Sequence, residues 1–144
     1  MLAQTFRSNL PSMNILKKLI LSALVAILYL GASNAQTSTL NKIDVKEFNN
    51  ISKDQKSVVI LDVRTPQEVA EGKIKGAKSI DFMNSSFKSE IQKLDKNKTY
   101  LVYCKAGGRS DKAVEMMNAA GFKTTYSLAG GITAWKEEGK PIEK

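Results

Sequence analysis

The chain has 144 residues, of which 42% are hydrophobic and 25% charged, a balance that fits one globular domain. It contains no histidine and one cysteine, which excludes Cys–His nucleophile pairs, Ser–His–Asp triads, histidine-ligated metals, internal disulfides, CxxC redox pairs and cysteine-rich zinc sites. The net charge of +8 comes from scattered lysines without a basic block or interleaved aromatics, so it describes a solvated surface with a mild preference for small anions, not a nucleic-acid face.

Lys17 and Lys18 precede an apolar run over residues 19–30, and Ser33-Asn34-Ala35 ends it. A cationic opening, a short apolar stretch and small residues at its close make a secretory signal peptide. Residues 1–35 are therefore expected to be a leader cleaved after Ala35. The protein is then exported, periplasmic or secreted, with no stable membrane span after cleavage. The run is short for a span; an uncleaved anchor is the alternative. Met13 heads the more typical signal opening, Met13-Asn14-Ile15-Leu16-Lys17-Lys18, and is a second candidate start. No cysteine follows the leader directly, which argues against a lipoprotein. Residues 36–41 read as a flexible segment and residues 42–144 as one domain, without repeats or low-complexity stretches.

Ile43, Val45, Phe48 and Ile51 suit a short strand leading into an amphipathic helix. Residues 57–63 form an apolar run rich in β-branched side chains, the pattern of a strand buried on both faces of a parallel sheet. Thr65-Pro66 reads as a helix start, with Pro66 at the first helical position and Glu68 in the first turn. Gly72 keeps that helix short. Residues 77–82 suit another strand, and residues 84–94 a helix with Phe87, Ile91 and Leu94 on one side. Residues 99–103 read as a buried strand. Residues 110–120 place Ala113, Met117 and Ala120 on one helical stripe with Val114 beside it, and Gly121 is a natural cap. Residues 122–126 suit a last strand. Gly130-Gly131 opens a final helix through Trp135, ended by Gly139-Lys140-Pro141. Strands alternating with helices predict an α/β layer fold with a mostly parallel sheet.

Ligands gather at the carboxyl ends of strands in such sheets. Cys104 lies at one of those ends, heading the loop Cys104-Lys105-Ala106-Gly107-Gly108-Arg109-Ser110 before a helix. Backbone amides at a helix start, with Lys105 and Arg109, favour a negative charge there. A thiolate is such a charge, so Cys104 is the candidate nucleophile. The stretch from Lys105 to Ser110 can curl to aim successive amides at one point, and Gly107 and Gly108 permit the positive φ this requires. Lys105 and Arg109 can bind an oxyanion. Asp62 and Arg64, at the end of a neighbouring strand, are candidates for support behind the loop, with Asp62 able to pair with a loop cation. A thiol enclosed by hydrocarbon alone would not fit this chemistry.

Four segments in order resemble a single-domain rhodanese, a sulfurtransferase. They are Asp62-Val63-Arg64, Glu71-Gly72-Lys73-Ile74-Lys75-Gly76-Ala77, the Cys104–Ser110 loop, and Gly130-Gly131-Ile132-Thr133-Ala134-Trp135. The resemblance runs from about Ile43 to Pro141. Lys73 stands where that family often has histidine, and Val69 replaces a common aromatic. The resemblance implies a three-layer α/β fold, a mostly parallel central sheet of about five strands with helices on both faces. It also implies a two-step transfer. Cys104 takes the sulfane sulfur of a small anionic donor such as thiosulfate, then passes it from a persulfide to cyanide, a thiol or a protein acceptor. The substrate-binding residues are then Lys105, Ala106, Gly107, Gly108, Arg109 and Ser110, and neither metal nor cofactor is required.

Plainer roles stand beside these. Lys105 reads equally as a surface lysine, Asp62 as a structural ion-pair partner, and Trp135, Met116 and Met117 as core or helix-surface residues. Two other functions compete. A non-turnover persulfide carrier or binding module would share the same loop. A cysteine phosphatase or arsenate reductase also places Cys and Arg around an anion, but only four residues separate Cys104 from Arg109 and no second cysteine is present.

Overall fold

The computed structural model describes residues 41–144. The predicted leader and all but the last residue of the flexible segment lie outside the described residues. Among those described, no helix is long and apolar enough to cross a membrane.

The elements run β1 (Lys42–Ile43), α1 (Val45–Ile51), β2 (Val58–Asp62), α2 (Pro66–Ala70), β3 (Lys73–Ile74), β4 (Lys78–Ser79), α3 (Phe87–Gln92), β5 (Thr99–Tyr103), α4 (Gly108–Ala119), β6 (Thr124–Leu128), α5 (Gly131–Glu137) and β7 (Ile142–Glu143). Five strands form one parallel sheet in the order β1-β6-β5-β2-β4. β3 and β7 pair separately and antiparallel.

The central strand β5 shows why helices cover both faces. Side chains alternate along a strand, so Tyr100, Val102 and Cys104 face one way and Leu101 and Tyr103 the other. The first set packs with Phe87 and Ile91 of α3 and Ala113, Val114 and Met117 of α4. The second packs with Val45 and Phe48 of α1 and Ile132 and Trp135 of α5. Burying each large apolar side chain contributes roughly 1.5–3 kcal/mol. These two clusters hold the three layers together.

Local chemistry sets the element ends. Thr65 caps α2 through a capping box with Glu68, and Pro66 occupies the first turn. At the end of α4, Gly121 (φ +88°) lets its amide reach Asn118 O while the Phe122 amide reaches Met117 O, a Schellman closure. That closure uses Phe122, so β6 starts at Thr124, two residues later than the apolar pattern suggests. The segment expected as a strand over 77–82 is regular only at Lys78–Ser79. Its continuation still follows β2, with the Ile80 and Phe82 amides donating to Asp62 O and Val63 O.

β2 and β5 run in register, with Asp62 opposite Tyr103. Their carboxyl ends therefore finish side by side, one leading to Val63 and Arg64, the other to Cys104.

Candidate active site

The loop after β5 is gripped from outside. The amides of Ile132 and Thr133, in the open first turn of α5, donate to the carbonyls of Cys104 (2.9 Å) and Lys105 (3.1 Å), and the Thr133 hydroxyl adds a bond to Lys105 O (2.9 Å). Only glycine permits this approach. A Cβ on Gly131 (φ +59°) would lie 2.5 Å from Cys104 O and 2.6 Å from Lys105 O.

With those carbonyls held, the following amides face the sulfur. Gly107 N donates to Cys104 Sγ at 3.1 Å, and Gly107 adopts φ +108° to do so. Ser110 Oγ lies 3.7 Å from Sγ and 2.8 Å from Gly107 O. Cys104 is 2% exposed and packs in the α3–α4 cluster. It is therefore deeper than a surface loop suggests, yet not enclosed by hydrocarbon alone. Burial pushes its pKa up; donation from the Ser110 amide and hydroxyl and from the Gly107 and Ala106 amides outweighs that, and the thiol ionises more readily than ordinary cysteine.

The remaining loop residues divide. Gly108 opens α4 in ordinary helical geometry, so only Gly107 uses the positive-φ freedom predicted for both. Lys105 is exposed and makes no ion pair among the described residues. Arg109 is half-buried and already engaged: its two terminal nitrogens donate to the two carboxylate oxygens of Glu68, at 2.6 and 2.7 Å. Hydrogen bonds from Arg109, working against a smaller effect of burial, hold the Glu68 carboxyl down to about 2. The same pair raises Arg109, and the Cys104 thiolate adds to that rise.

Asp62 and Arg64 sit behind the loop, both buried. Asp62 pairs with Arg64 and with neither loop cation; Arg64 Nη2 donates to its carboxylate at 2.7 Å and Nε at 3.0 Å. The same guanidinium donates to the backbone carbonyls of Glu68 (3.0 Å) and Gly72 (2.8 Å), so it ties down the C-terminal half of α2 and the turn that follows it. Tyr103 Oη donates to Asp62 (2.6 Å) and accepts from Ile74 N (3.0 Å). Burial, reinforced by that bond, pushes the Tyr103 phenol far up and keeps it a donor.

Four contributors, Glu68, Ser127, Asp111 and Lys42, carry no separate signal in the sequence. Glu68 reads only as a first-turn acid; the one signal is joint, its position after β2 with Arg109 after the adjacent β5. Ser127, at the end of β6, bonds both Ser110 Oγ (3.0 Å) and Asp111 Oδ1 (2.6 Å), and Lys42 pairs with Asp111 at 2.7 Å. Trp135 is core, as its plainer reading has it; its Nε1 donates to Pro141 O. Lys73, at the family's usual histidine position, donates to Ala77 O, a structural contact. A cleft of about 620 Å³ lined by Val58, Ile60, Lys98 and Trp135, among others, includes no residue of the loop.

The fold and site define an α/β protein whose buried thiol, at the end of a parallel strand, ionises more readily because amides point at it. The family model of the rhodanese-like domain matches residues 44–138, and the chain belongs to that family. It is similar to a sulfurtransferase of Allochromatium vinosum, 30% identical over 103 residues that cover 72% of this chain and 94% of the relative. A thiosulfate sulfurtransferase of Pseudomonas entomophila is 34% identical over 98 residues, 64% of this chain and 88% of its own. The crystal structure of a rhodanese-like domain protein from Staphylococcus aureus matches with TM-score 0.62 and 34% identity, over 73% of this chain and 100% of that one.

Proposed function

We propose that the protein is an exported sulfurtransferase that carries a sulfane sulfur as a persulfide on Cys104. The observation that supports it most is the sulfur itself: Sγ is nearly solvent-free, yet ringed by amide and hydroxyl donors that favour its anion.

The Cys104 thiolate attacks the outer sulfur of a donor such as thiosulfate. A Cys104–sulfur bond forms, the donor's S–S bond breaks, and sulfite leaves with the electron pair. The persulfide's terminal sulfur inherits the negative charge, within reach of the same donors. Cyanide, a thiolate or a protein thiol then attacks that sulfur, and Cys104 departs as the thiolate. No outside oxidant or reductant enters, and neither step asks for a metal or cofactor. Preorganised donors are suited to this because they need no rearrangement as charge moves; removing one preorganised oxyanion donor costs roughly 2.7–4 kcal/mol of transition-state stabilisation in enzymes where it has been tested. Ala106, Gly107 and Ser110 supply the donors, Gly108 starts the helix behind them, Lys105 adds an exposed positive charge beside them, and Arg109 acts on the thiolate while bound to Glu68.

Intact mass after exposure to thiosulfate tests this. One added sulfur atom, removed by cyanide or a thiol and absent from Cys104→Ser, is the expected result. No sulfur gain with thiosulfate or a thiol persulfide, on folded protein with reduced Cys104, would refute it. The same spectrum, taken on protein expressed with its leader, reports export. Loss of residues 1–35 is expected from the signal-like pattern around Lys17, Lys18 and Ala35, and an intact leader would refute that part.

A further inference from the structure

Arg109 is the loop cation whose charge reaches the thiolate, yet it does not face an incoming donor as an unpaired charge. Both terminal nitrogens of its guanidinium bind one carboxylate, in the bidentate geometry that a sulfonate or other oxyanion would itself use. That carboxylate is not a loosely placed surface acid. Glu68 Oε2 also accepts from Thr65 N (3.1 Å) and from Thr65 Oγ1 (3.1 Å), so the capping box of α2 aims it. Arg64 fixes α2 underneath by bonding Glu68 O and Gly72 O. An anion can use the Nη1–Nη2 edge of Arg109 only by displacing a group held from two other directions. Until then the entrance carries a neutralised pair.

We propose that Glu68 is a positioning residue that sets donor specificity: by occupying Arg109, it turns the site away from free dianions such as thiosulfate and toward sulfane sulfur presented on a thiol persulfide. This rests on the sulfurtransferase reading and narrows its donor class. The transfer step is unchanged. What changes is the leaving group, a thiolate in place of sulfite, which needs no second fork of donors.

Glu68→Gln is an informative variant because glutamine keeps the capping box while losing the charge. The test compares alkylation of Cys104 by anionic iodoacetate and neutral iodoacetamide. Any change in Cys104 ionisation speeds or slows both reagents, so their ratio isolates charge selection at the entrance. The iodoacetate-to-iodoacetamide rate ratio should rise about fivefold in Glu68→Gln, the upper range for a partly exposed ion pair. The rise should vanish when Arg109→Ala is added. Glu68→Asp, too short to keep both bonds, should shift the ratio the same way and serves if Glu68→Gln folds poorly. An unchanged ratio in folded variants, or a rise that persists without Arg109, would overturn the proposal. In sulfur loading, Glu68→Gln should lower the KM for thiosulfate and leave that for cysteine persulfide unchanged; equal effects on both donors would also overturn it. Alkylation reads Glu68 whether or not sulfur is transferred. A shifted ratio with no sulfur loading from either donor would therefore count against the sulfurtransferase reading alone.

Discussion

Two neighbouring strands end at the same level, and each end is closed by an arginine–carboxylate pair. Behind β2, Asp62 and Arg64 are 0% and 3% exposed, and each is further satisfied, by Tyr103 on one side and by two carbonyls on the other. Beside the loop after β5, Glu68 and Arg109 keep 23% and 24% of their side-chain surface. The chemistry is the same and the burial is not. A buried pair cannot be opened without leaving a charge in a dry place, so it acts as a fixed part of the fold. A half-exposed pair keeps contact with water, so opening it costs far less than opening the buried one. The first positions the second, because Arg64 holds the backbone of Glu68.

The contrast breaks most severely at Arg64. Arg64→Ala would leave Asp62 as an uncompensated buried charge and two carbonyls without donors. Urea unfolding should show a loss of about 3–5 kcal/mol, with the capping box of α2 loosened as well. A loss no larger than that of a surface arginine would mean water replaces the guanidinium, and the two pairs would then differ in degree only.

The glycines sharpen it within the thiol loop. Gly107 sits at φ +108°, and the place a Cβ would take there has nothing closer than 3.6 Å, so Gly107→Ala meets backbone strain and not collision. A cost of about 1–3 kcal/mol is expected. As the chain relaxes, its amide should leave Sγ, and the alkylation pH profile of Cys104 should move upward. Gly108 has ordinary helical φ and open space around its Cβ position. Gly108→Ala should stabilise by about 0.4–1 kcal/mol, with the alkylation profile unmoved. If both substitutions raise the profile equally, the loop needs both glycines and the assignment of the positive-φ role to Gly107 alone is wrong.

Local patterns carried much of this into the sequence. The β-branched run before Asp62 and the buried run before Cys104 marked β2 and β5 nearly to the residue, because a strand covered on both faces has no polar interruption. Pro66 marked α2, and a thiol between a strand and a glycine-rich helix start marked the site. β3 and β7, two residues each, have no period to detect. The Glu68–Arg109 pair was hidden for a different reason. Its partners are far apart in the chain and meet only because β2 and β5 are adjacent in the sheet, a fact of strand order. Asp62 could be expected to seek a cation, but the choice of Arg64 over Lys105 or Arg109 depends on burial, which excludes the exposed lysine and leaves the nearer guanidinium.

The smallest effect tests the half-exposed pair directly. Glu68 has its pKa lowered from 4.5 to about 2, chiefly by hydrogen bonds from Arg109. A carboxyl held lower in the folded state than in the unfolded one stabilises the fold above its ordinary pKa. That contribution is lost as pH falls through the folded value. Arg109→Ala should therefore destabilise the protein by no more than about 1 kcal/mol near neutrality, as partly exposed pairs do. The gap between wild type and variant should narrow as pH drops from 4.5 toward 2. Other carboxylates titrate in both proteins and cancel from the difference. Urea unfolding at several pH values in that window reads the gap, and added salt should shrink it at neutrality. A gap that stays constant through the acid range would mean Arg109 stabilises the loop by packing its stem rather than by holding Glu68. Its guanidinium would then be open to anions after all.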